Sequence, residues 1–182
     1  MAKSECLEEL GFGDWSIDKD LYDFIRKVLP EGSTILELGS GFSTGELSKY
    51  YTMFSVEHDV AFLDKYDSTY LHAPLKEHKK LKNHDSTEWY DASILHDLLK
   101  GLKYDLLLVD GPPQTRSGFV KYINLFDTSA IWVFDDAGRS IDRAVVNSAA
   151  SVLGVPWVNY RSEAGGKVYS VLNNPLLRST DE

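Results

Sequence analysis

Cysteine is almost absent from this chain, since Cys6 is the only one among 182 residues. A single cysteine cannot form an internal disulfide, which excludes a disulfide-stabilised fold and favours a reducing compartment. Long apolar runs are lacking too, because no stretch approaches the ~20 residues that a membrane-spanning helix needs. The first residues, 1–6, also lack the apolar region of a secretory signal. We therefore expect a cytoplasmic protein without a membrane partner.

Positive charge is also scarce, with 19 Lys and Arg against 28 Asp and Glu and a net charge of −9. Nucleic-acid binding depends on clustered Lys and Arg, and the only basic cluster, residues 76–82, is short. We therefore expect no nucleic-acid partner. A hydrophobic share of 43% and an aromatic share of 12% are typical of a globular protein, and the length suits a single domain over residues 1–182. The sequence is compatible with a homodimer.

Apolar runs and amphipathic stretches alternate along the chain. Apolar spacing predicts helices over 21–28, 44–51, 60–66, 92–100, 118–126 and 141–153, the first capped by Ser16 or Asp18. Short apolar runs predict strands over 34–38, 53–57, 70–74, 104–110 and 130–134, and two further strands, 157–161 and 167–172, flank a hairpin signal.

This βα alternation predicts an α/β fold. The sheet is expected to be Rossmann-like, doubly wound and mostly parallel, with seven strands and a closing antiparallel hairpin. A ligand site is expected at the carboxyl ends of its strands. Residues 76–91 are polar and have no clear pattern.

The first predicted strand runs into a glycine-rich turn. Gly39, Gly41 and Gly45 follow Glu37 in the spacing G-x-G-x-x-x-G. Glycines at a strand-to-helix turn let the backbone approach a ligand closely, and the following helix offers unpaired N–H groups. The turn indicates a nucleotide-like ligand, although an ordinary glycine-rich turn has the same composition.

Glu57 ends the second predicted strand, 20 residues after Glu37. A carboxylate there can accept hydrogen bonds from both hydroxyls of a ribose. The alternative is that Glu57 or Asp59 caps the next helix; we assign the cap to Asp59 and the ribose to Glu57.

These residues resemble the cofactor motifs of class I S-adenosylmethionine (SAM)-dependent methyltransferases, and the resemblance extends over about residues 13–172. It implies that the glycine turn passes under the methionine part of SAM and that His72 and Ala73 border the adenine, with Asp85 as the rival. It also implies that an N-terminal segment and helix, residues 1–32 and in particular 13–17, closes over the cofactor. The implied cofactor residues are Glu37, Gly39, Ser40, Gly41, Ser43, Thr44, Glu57, His58, His72, Ala73 and Asp110.

A second group of carboxylates follows two later strands. Asp110 precedes a Gly-Pro-Pro turn, and Asp135 and Asp136 lie 25 and 26 residues further on. Neighbouring strand ends would bring the three together, where like charges repel unless a cation binds, and oxygen ligands suit Mg²⁺. The pattern resembles metal-dependent O-methyltransferases of the catechol and macrolide-sugar types, in which such residues bind the ion. The alternative is structural: Asp110 orients its turn and Asp136 caps the next helix.

One residue of these families is missing. Where catechol-type enzymes have a lysine as base, this chain has Pro113, and the histidine of the macrolide-sugar type is also absent. Gln114 and Arg116 are unsuited to take a proton near neutral pH. The catalytic candidates are therefore Asp110, Asp136 and His72. Three nearby arginines either bind an anionic acceptor, such as a uronate or phosphate, or are solvated: Arg116, Arg139 and Arg143.

The sequence thus predicts a SAM-dependent methyltransferase that transfers a methyl group to a hydroxyl of a small molecule or sugar with the help of Mg²⁺. A metal-independent N- or O-methyltransferase and a non-catalytic binding domain of the same fold are the alternatives. An NAD-dependent enzyme is disfavoured by the glycine spacing and the closing hairpin.

Overall fold

The architecture is a twisted sheet of seven strands with helices around it. The computed structural model describes residues 11–12, 16–79, 87–113, 115–163 and 166–180. The roles expected for Cys6, for residues 13–15, for Asp85 and for Gln114 concern residues outside this described part.

The strands are β1 (Thr34–Leu38), β2 (Thr52–Glu57), β3 (Thr69–His72), β4 (Leu75–Glu77), β5 (Glu88–Tyr90), β6 (Leu106–Val109), β7 (Ile131–Phe134), β8 (Trp157–Arg161) and β9 (Val168–Leu172).

The strand order in the main sheet is β3-β2-β1-β6-β7-β9-β8. The five strands from β3 to β7 are parallel to their neighbours, whereas β9 is antiparallel to both β7 and β8. This confirms the predicted α/β sheet with its closing antiparallel hairpin. The unassigned polar stretch contains β4 and β5, which form a separate antiparallel pair.

The described residues also form four α-helices and three 3₁₀ segments, most of which lie between strands. Asp18, rather than Ser16, caps the first helix, because its Oδ1 accepts a hydrogen bond of 2.9 Å from the backbone N–H of Leu21. No helix in the described residues is long and apolar enough to cross a membrane. The α-helices are α1 (Lys19–Val28), α2 (Phe42–Leu47), α3 (Ala92–Leu99) and α4 (Ser140–Leu153), and the 3₁₀ segments are Val60–Phe62, Arg116–Leu125 and Pro175–Thr180.

Two predicted α-helices are wrong in type. The helix expected over 60–66 is only the 3₁₀ turn Val60–Phe62, with Val60 68% exposed, so no apolar face is buried that would extend it. Asp59 caps this turn as expected, accepting from the N–H of Ala61. The helix expected over 118–126 is the 3₁₀ segment Arg116–Leu125, in which Tyr122 departs from helical geometry.

The central strands are buried on both faces, which explains their nearly continuous apolar sequences. In β6, Leu106 and Leu108 pack with α1, whereas Leu107 and Val109 belong to the aromatic core on the other face. The apolar interior therefore leaves the strand ends as the place for polar groups.

The turn after β1 touches the turn after β6. Gly39 has a φ of +89°, and a Cβ at this position would lie 3.1 Å from both N and Cα of Gly111. Only glycine combines this left-handed backbone with so close an approach. The contact places Asp110, which precedes Gly111, beside the glycine turn.

We expect Gly39→Ala to destabilise the fold more than Gly101→Ala. Both glycines have a positive φ, but a Cβ on Gly101 would meet no atom within 4 Å. The backbone strain, roughly 1–2 kcal/mol, is common to both changes, and the clash with Gly111 adds roughly 1–3 kcal/mol at position 39. Denaturant unfolding of the two variants checks the difference. Equal destabilisation would mean that the two turns are not in contact in solution.

Candidate functional site

Polar side chains converge where the central strands end. Leu38 of β1 pairs with Val56 of β2 and with Val109 of β6, and Val109 pairs with Phe134 of β7. This register brings the segments after these strands to one edge of the sheet. Glu37, Glu57, Asp110, Asp135 and Asp136 are thereby brought to that edge.

Glu37 is a buried carboxyl group that stabilises the glycine turn through hydrogen bonds. Its Oε2 accepts hydrogen bonds from Thr44 Oγ1 at 2.7 Å and from Ser55 Oγ at 2.9 Å. Thr44 Oγ1 in turn accepts from the N–H of Gly41 at 3.0 Å. Burial raises the pKa of Glu37 to about 8, with a further contribution from the charges of Asp110 and Glu57. Glu37 and Thr44 therefore fix the start of α2, and their contact with a cofactor stays a prediction.

Glu57, at the end of β2, stabilises the same turn through hydrogen bonds to Ser40. Its Oε2 accepts from both the N–H (3.1 Å) and the hydroxyl (2.9 Å) of Ser40, and its Oε1 accepts from the N–H groups of His58 and Asp59. Burial acts to raise the pKa of Glu57, but the hydrogen bonds outweigh it, and the pKa lies below its ordinary value. Each carboxylate oxygen has about two acceptor sites. A ribose hydroxyl can therefore bind Oε2 only by replacing the Ser40 hydroxyl.

His72 and Ala73 lie at the end of β3, next to Glu57. His72 pairs with Glu57 in the sheet and is exposed, whereas Ala73 is buried and donates its N–H to the carbonyl of Glu57 at 2.9 Å. This placement fits the expected cofactor side of the edge. However, β3 lies three strand positions from β6, roughly 14 Å across the sheet. The structure therefore does not bring His72 to Asp110 and Asp136, and its assignment as the base loses support.

The three aspartates do come together, as the sequence predicted. Asp110, Asp135 and Asp136 each offer a carboxylate oxygen, and these oxygens lie within 4.8 Å of one another. We call this group the aspartate trio. Asp135 is buried, and neither of its carboxylate oxygens has a hydrogen-bond partner among the described residues. Burial, together with the charges of Asp110 and Asp136, raises the pKa of Asp135 to about 8.

Arg116 lies among these carboxylates, which sequence reasoning missed. Its Nη1 donates to the backbone carbonyl of Asp135 at 2.9 Å, and its Nη2 donates to the carbonyl of Asp110 and lies 3.4 Å from Asp110 Oδ1. The guanidinium also lies 3.7 Å from Asp136 Oδ2 and 3.5 Å from Asp142 Oδ1. The six-residue spacing from Asp110 gave a weak signal for this contact. Arg116 is therefore a buried countercharge for these carboxylates and not a solvated residue.

Two further cations approach the trio. Arg139 Nη2 lies 3.0 Å from Asp136 Oδ2, and Lys167 Nζ lies 4.0 Å from Asp135 Oδ2. The expectation that only a bound ion can offset the repulsion is therefore wrong, since the protein supplies cations of its own. Lys167 carries no signal in the sequence, because it reaches the site from the hairpin of β8 and β9.

The structural alternative for Asp136 also fails. Asp136 has a φ of +55° and precedes α4 by several residues, while Arg139 occupies the N-cap position. Asp136 therefore does not cap the helix. Beside it opens a cleft of about 260 Å³ lined by Asp136, Gly138, Arg139, Gly166, Lys167 and Val168.

We expect Glu37→Gln to change the pH dependence of stability. Because folding raises the pKa of Glu37 from 4.5 to about 8, the folded state keeps a proton there that the unfolded state has lost. The free energy of unfolding should therefore fall as the pH rises between these values, by up to about 1.4 kcal/mol per pH unit. The glutamine variant should lack this part of the slope in denaturant unfolding at pH 5 to 8.5. The exposed Glu31→Gln serves as control and should keep the wild-type slope; an unchanged slope in Glu37→Gln would contradict the assignment.

Comparison with known proteins gives matches in structure only. No protein-family model and no curated protein matches the chain. The solved structures that it resembles include the precorrin-6y C5,15-methyltransferase of Geobacter metallireducens GS-15, with 11% identity over 91% of this chain and 94% of that chain at a TM-score of 0.57. A methyltransferase from Pyrococcus furiosus has 13% identity over 84% of this chain and 80% of that chain, at a TM-score of 0.51.

A third similar structure is the MycE methyltransferase of the mycinamycin biosynthetic pathway, in complex with Mg, SAH and mycinamycin VI. It shares 13% identity over 90% of this chain at a TM-score of 0.52, and this chain spans 50% of its length. Identities this low show likeness of fold alone. The chain has the Rossmann-like fold of the class I SAM-dependent methyltransferases.

Proposed function

We propose that this protein is a SAM-dependent methyltransferase that acts on a hydroxyl group of a small molecule or sugar with the help of Mg²⁺. The observation that carries the proposal is the close approach of Gly39 to Gly111. A Cβ added to Gly39 would lie only 3.1 Å from the backbone of Gly111. It puts the glycine turn beside Asp110 and hence beside the aspartate trio. A methyl donor held by the turn and an acceptor held near the trio would then be neighbours, as transfer requires.

The glycine turn and Glu57 fit a bound SAM. Gly39 and Gly41 have no side chains, so the backbone of the turn is open to close approach by a ligand. A ribose hydroxyl can replace the Ser40 hydroxyl as a hydrogen-bond donor to Glu57 Oε2. Bound SAM would supply a methyl group on a positively charged sulfur. In this proposal Ser43, Thr44, His58, His72 and Ala73 line the same site, as the resemblance implied.

The aspartate trio fits a divalent ion. The three oxygens lie within 4.8 Å of one another, and carboxylate oxygens are the ligands that Mg²⁺ takes. Two buried oxygens of Asp135 without hydrogen-bond partners are costly unless a cation or a proton reaches them. The ion would lower the pKa of an acceptor hydroxyl and hold it in place.

The residues of the chain divide the remaining tasks. Arg116 fixes the backbone of Asp110 and Asp135 through their carbonyl groups, which keeps both carboxylates in place. Asp136 lines the cleft, and its contacts with Arg139 at 3.0 Å and Arg116 at 3.7 Å are made by Oδ2. Its Oδ1 is therefore the best-placed atom to take the proton from the acceptor hydroxyl, with Asp110 as the second candidate.

A metal-independent methyltransferase is the second candidate, and Arg116 favours it. The guanidinium makes contacts with Asp110, Asp136 and Asp142 that offset their charges without an ion. In that case Arg116 would take the place of the metal as the fixed positive charge beside the acceptor.

Binding of S-adenosylhomocysteine tests the cofactor site. We expect calorimetric titration to give micromolar affinity for the wild type and a loss of about 100-fold or more for Glu57→Ala, because the ribose loses a charged acceptor. Ser40→Ala removes the hydroxyl that competes for Glu57 Oε2 and should bind at least as tightly as the wild type. Thermal unfolding of each variant separates lost binding from lost folding. No binding to a folded wild type would rule out the proposed function.

Titration with Mn²⁺ tests the metal site, with the paramagnetic ion standing in for Mg²⁺. We expect one saturable site in the wild type, competed by Mg²⁺, and at least tenfold weaker binding in Asp135→Asn, which removes a charged ligand. Asp97→Asn on the exposed surface of α3 should bind like the wild type. Equal binding by all three proteins, or none by the wild type together with methyl transfer in EDTA, would favour the metal-independent candidate.

A further inference from the structure

Two of the residues that line the cleft beside the aspartate trio are cations. Among its lining residues Arg139 and Lys167 are cations and Asp136 is an anion, while Gly138 and Gly166 leave space between them. Its volume of about 260 Å³ lies just below the range of roughly 300–1,000 Å³ usual for small-molecule sites. The cleft therefore suits one ring or one charged substituent of a larger ligand.

Arg139 is held rigidly but still has donors to offer. Its Nε donates to Asp142 Oδ2 at 2.6 Å, and its Nη2 lies 3.0 Å from Asp136 Oδ2. Its side chain is nevertheless 57% exposed. A guanidinium has five N–H donors, and of those in Arg139 only Nε donates a hydrogen bond among the described residues. A planar, fixed donor group with open positions is well suited to a carboxylate or phosphate.

Lys167 enters the same cleft from the other side. Its Nζ donates to the carbonyl of Ser16 at 3.2 Å, which ties it to the turn before α1. Its distance of 4.0 Å from Asp135 Oδ2 is too long for a hydrogen bond. An ammonium group has three donors, so two remain for a ligand. Lys167 and Arg139 thus lie on two different elements, the hairpin and the start of α4, with the cleft between them.

We propose that Arg139 and Lys167 bind a carboxylate or phosphate group of the methyl acceptor in this cleft. The inference rests on the proposed function, because it specifies the acceptor of that reaction. It also decides between the alternatives left open by the sequence. Arg116 is buried among carboxylates, and Arg143 donates to the carbonyl of Gly138 at 3.1 Å, whereas Arg139 lines the cleft.

The start of α4 adds to this positive charge. Arg139 is its N-cap residue and makes no side-chain cap, and the buried Asp142 lies in the first turn. The N-terminal end of a helix carries a partial positive charge. An anion in the cleft would lie close to this end, so the backbone and both side chains favour the same sign of ligand.

The test is a titration with three sugars that differ in charge, followed by NMR at the amides of Gly138 and Gly166. The probes are D-glucuronate, D-glucose 6-phosphate and D-glucose, each added at constant ionic strength to the wild type, Lys167→Met, Arg139→Gln and Lys100→Met. Lys100 is an exposed lysine beyond the end of α3 and serves as the matched control. S-Adenosylhomocysteine is titrated into the same samples.

We expect at least one anionic sugar to bind about tenfold or more tightly than glucose and to shift both glycine amides. Lys167→Met and Arg139→Gln should each weaken that binding about tenfold, and Lys100→Met should leave it unchanged. The tighter of the two anionic sugars identifies the group as carboxylate or phosphate. Equal affinity for charged and neutral sugars, or binding that survives in both cleft variants, overturns the inference. If S-adenosylhomocysteine fails to bind while an anionic sugar still does, the proposed function fails and the anion site stands.

Discussion

The arrangement at the carboxyl edge of the sheet depends on how buried negative charge is neutralised. Four aspartates surround the guanidinium of Arg116, which contacts two of their backbone carbonyls and lies within 4 Å of the side chains of Asp110, Asp136 and Asp142. Removing one ion from such a buried group strands its partners and typically costs several kcal/mol. Arg116 therefore fixes the turns after β6 and β7 relative to each other. Arg116 does not contact the carboxylate oxygens of Asp135. These buried oxygens therefore have no hydrogen-bond partner among the described residues and would be stabilised by a cation or a proton.

The second constraint is the close approach of two backbone turns. Gly39 and Gly111 meet without side chains between them, and the turn after β1 is held by two buried acids on different strands. Glu37 fixes the start of α2, and Glu57 fixes Ser40. A rigid turn of this kind is preorganised for binding, since little ordering remains when a ligand arrives. The glycines that suggested a ligand site are thus also required for the fold.

Features encoded by neighbouring residues could be predicted from the sequence, whereas features that depend on tertiary packing could not. The strands β1, β6 and β7, the capping role of Asp59 and the grouping of the three aspartates followed from local apolar pattern and from the rule that parallel strands end at one edge. The segments 60–66 and 118–126 have helical spacing but form 3₁₀ turns. An amphipathic pattern needs a covered apolar face to become a stable α-helix, and in 60–66 this face is open, since Val60 remains exposed.

The sequence by itself determined the succession of the seven strands of the main sheet, the glycine turn and the acids at the strand ends, because each is encoded within a few neighbouring residues. Only the tertiary structure decided which cations meet those acids. No local pattern encodes the contact of Lys167 with Asp135, since Lys167 lies 32 residues away and reaches it through a hairpin that folds back along β7. Likewise, Glu57 and His72 became neighbours while His72 and Asp110 did not, because sheet order rather than sequence spacing sets the distance between strand ends.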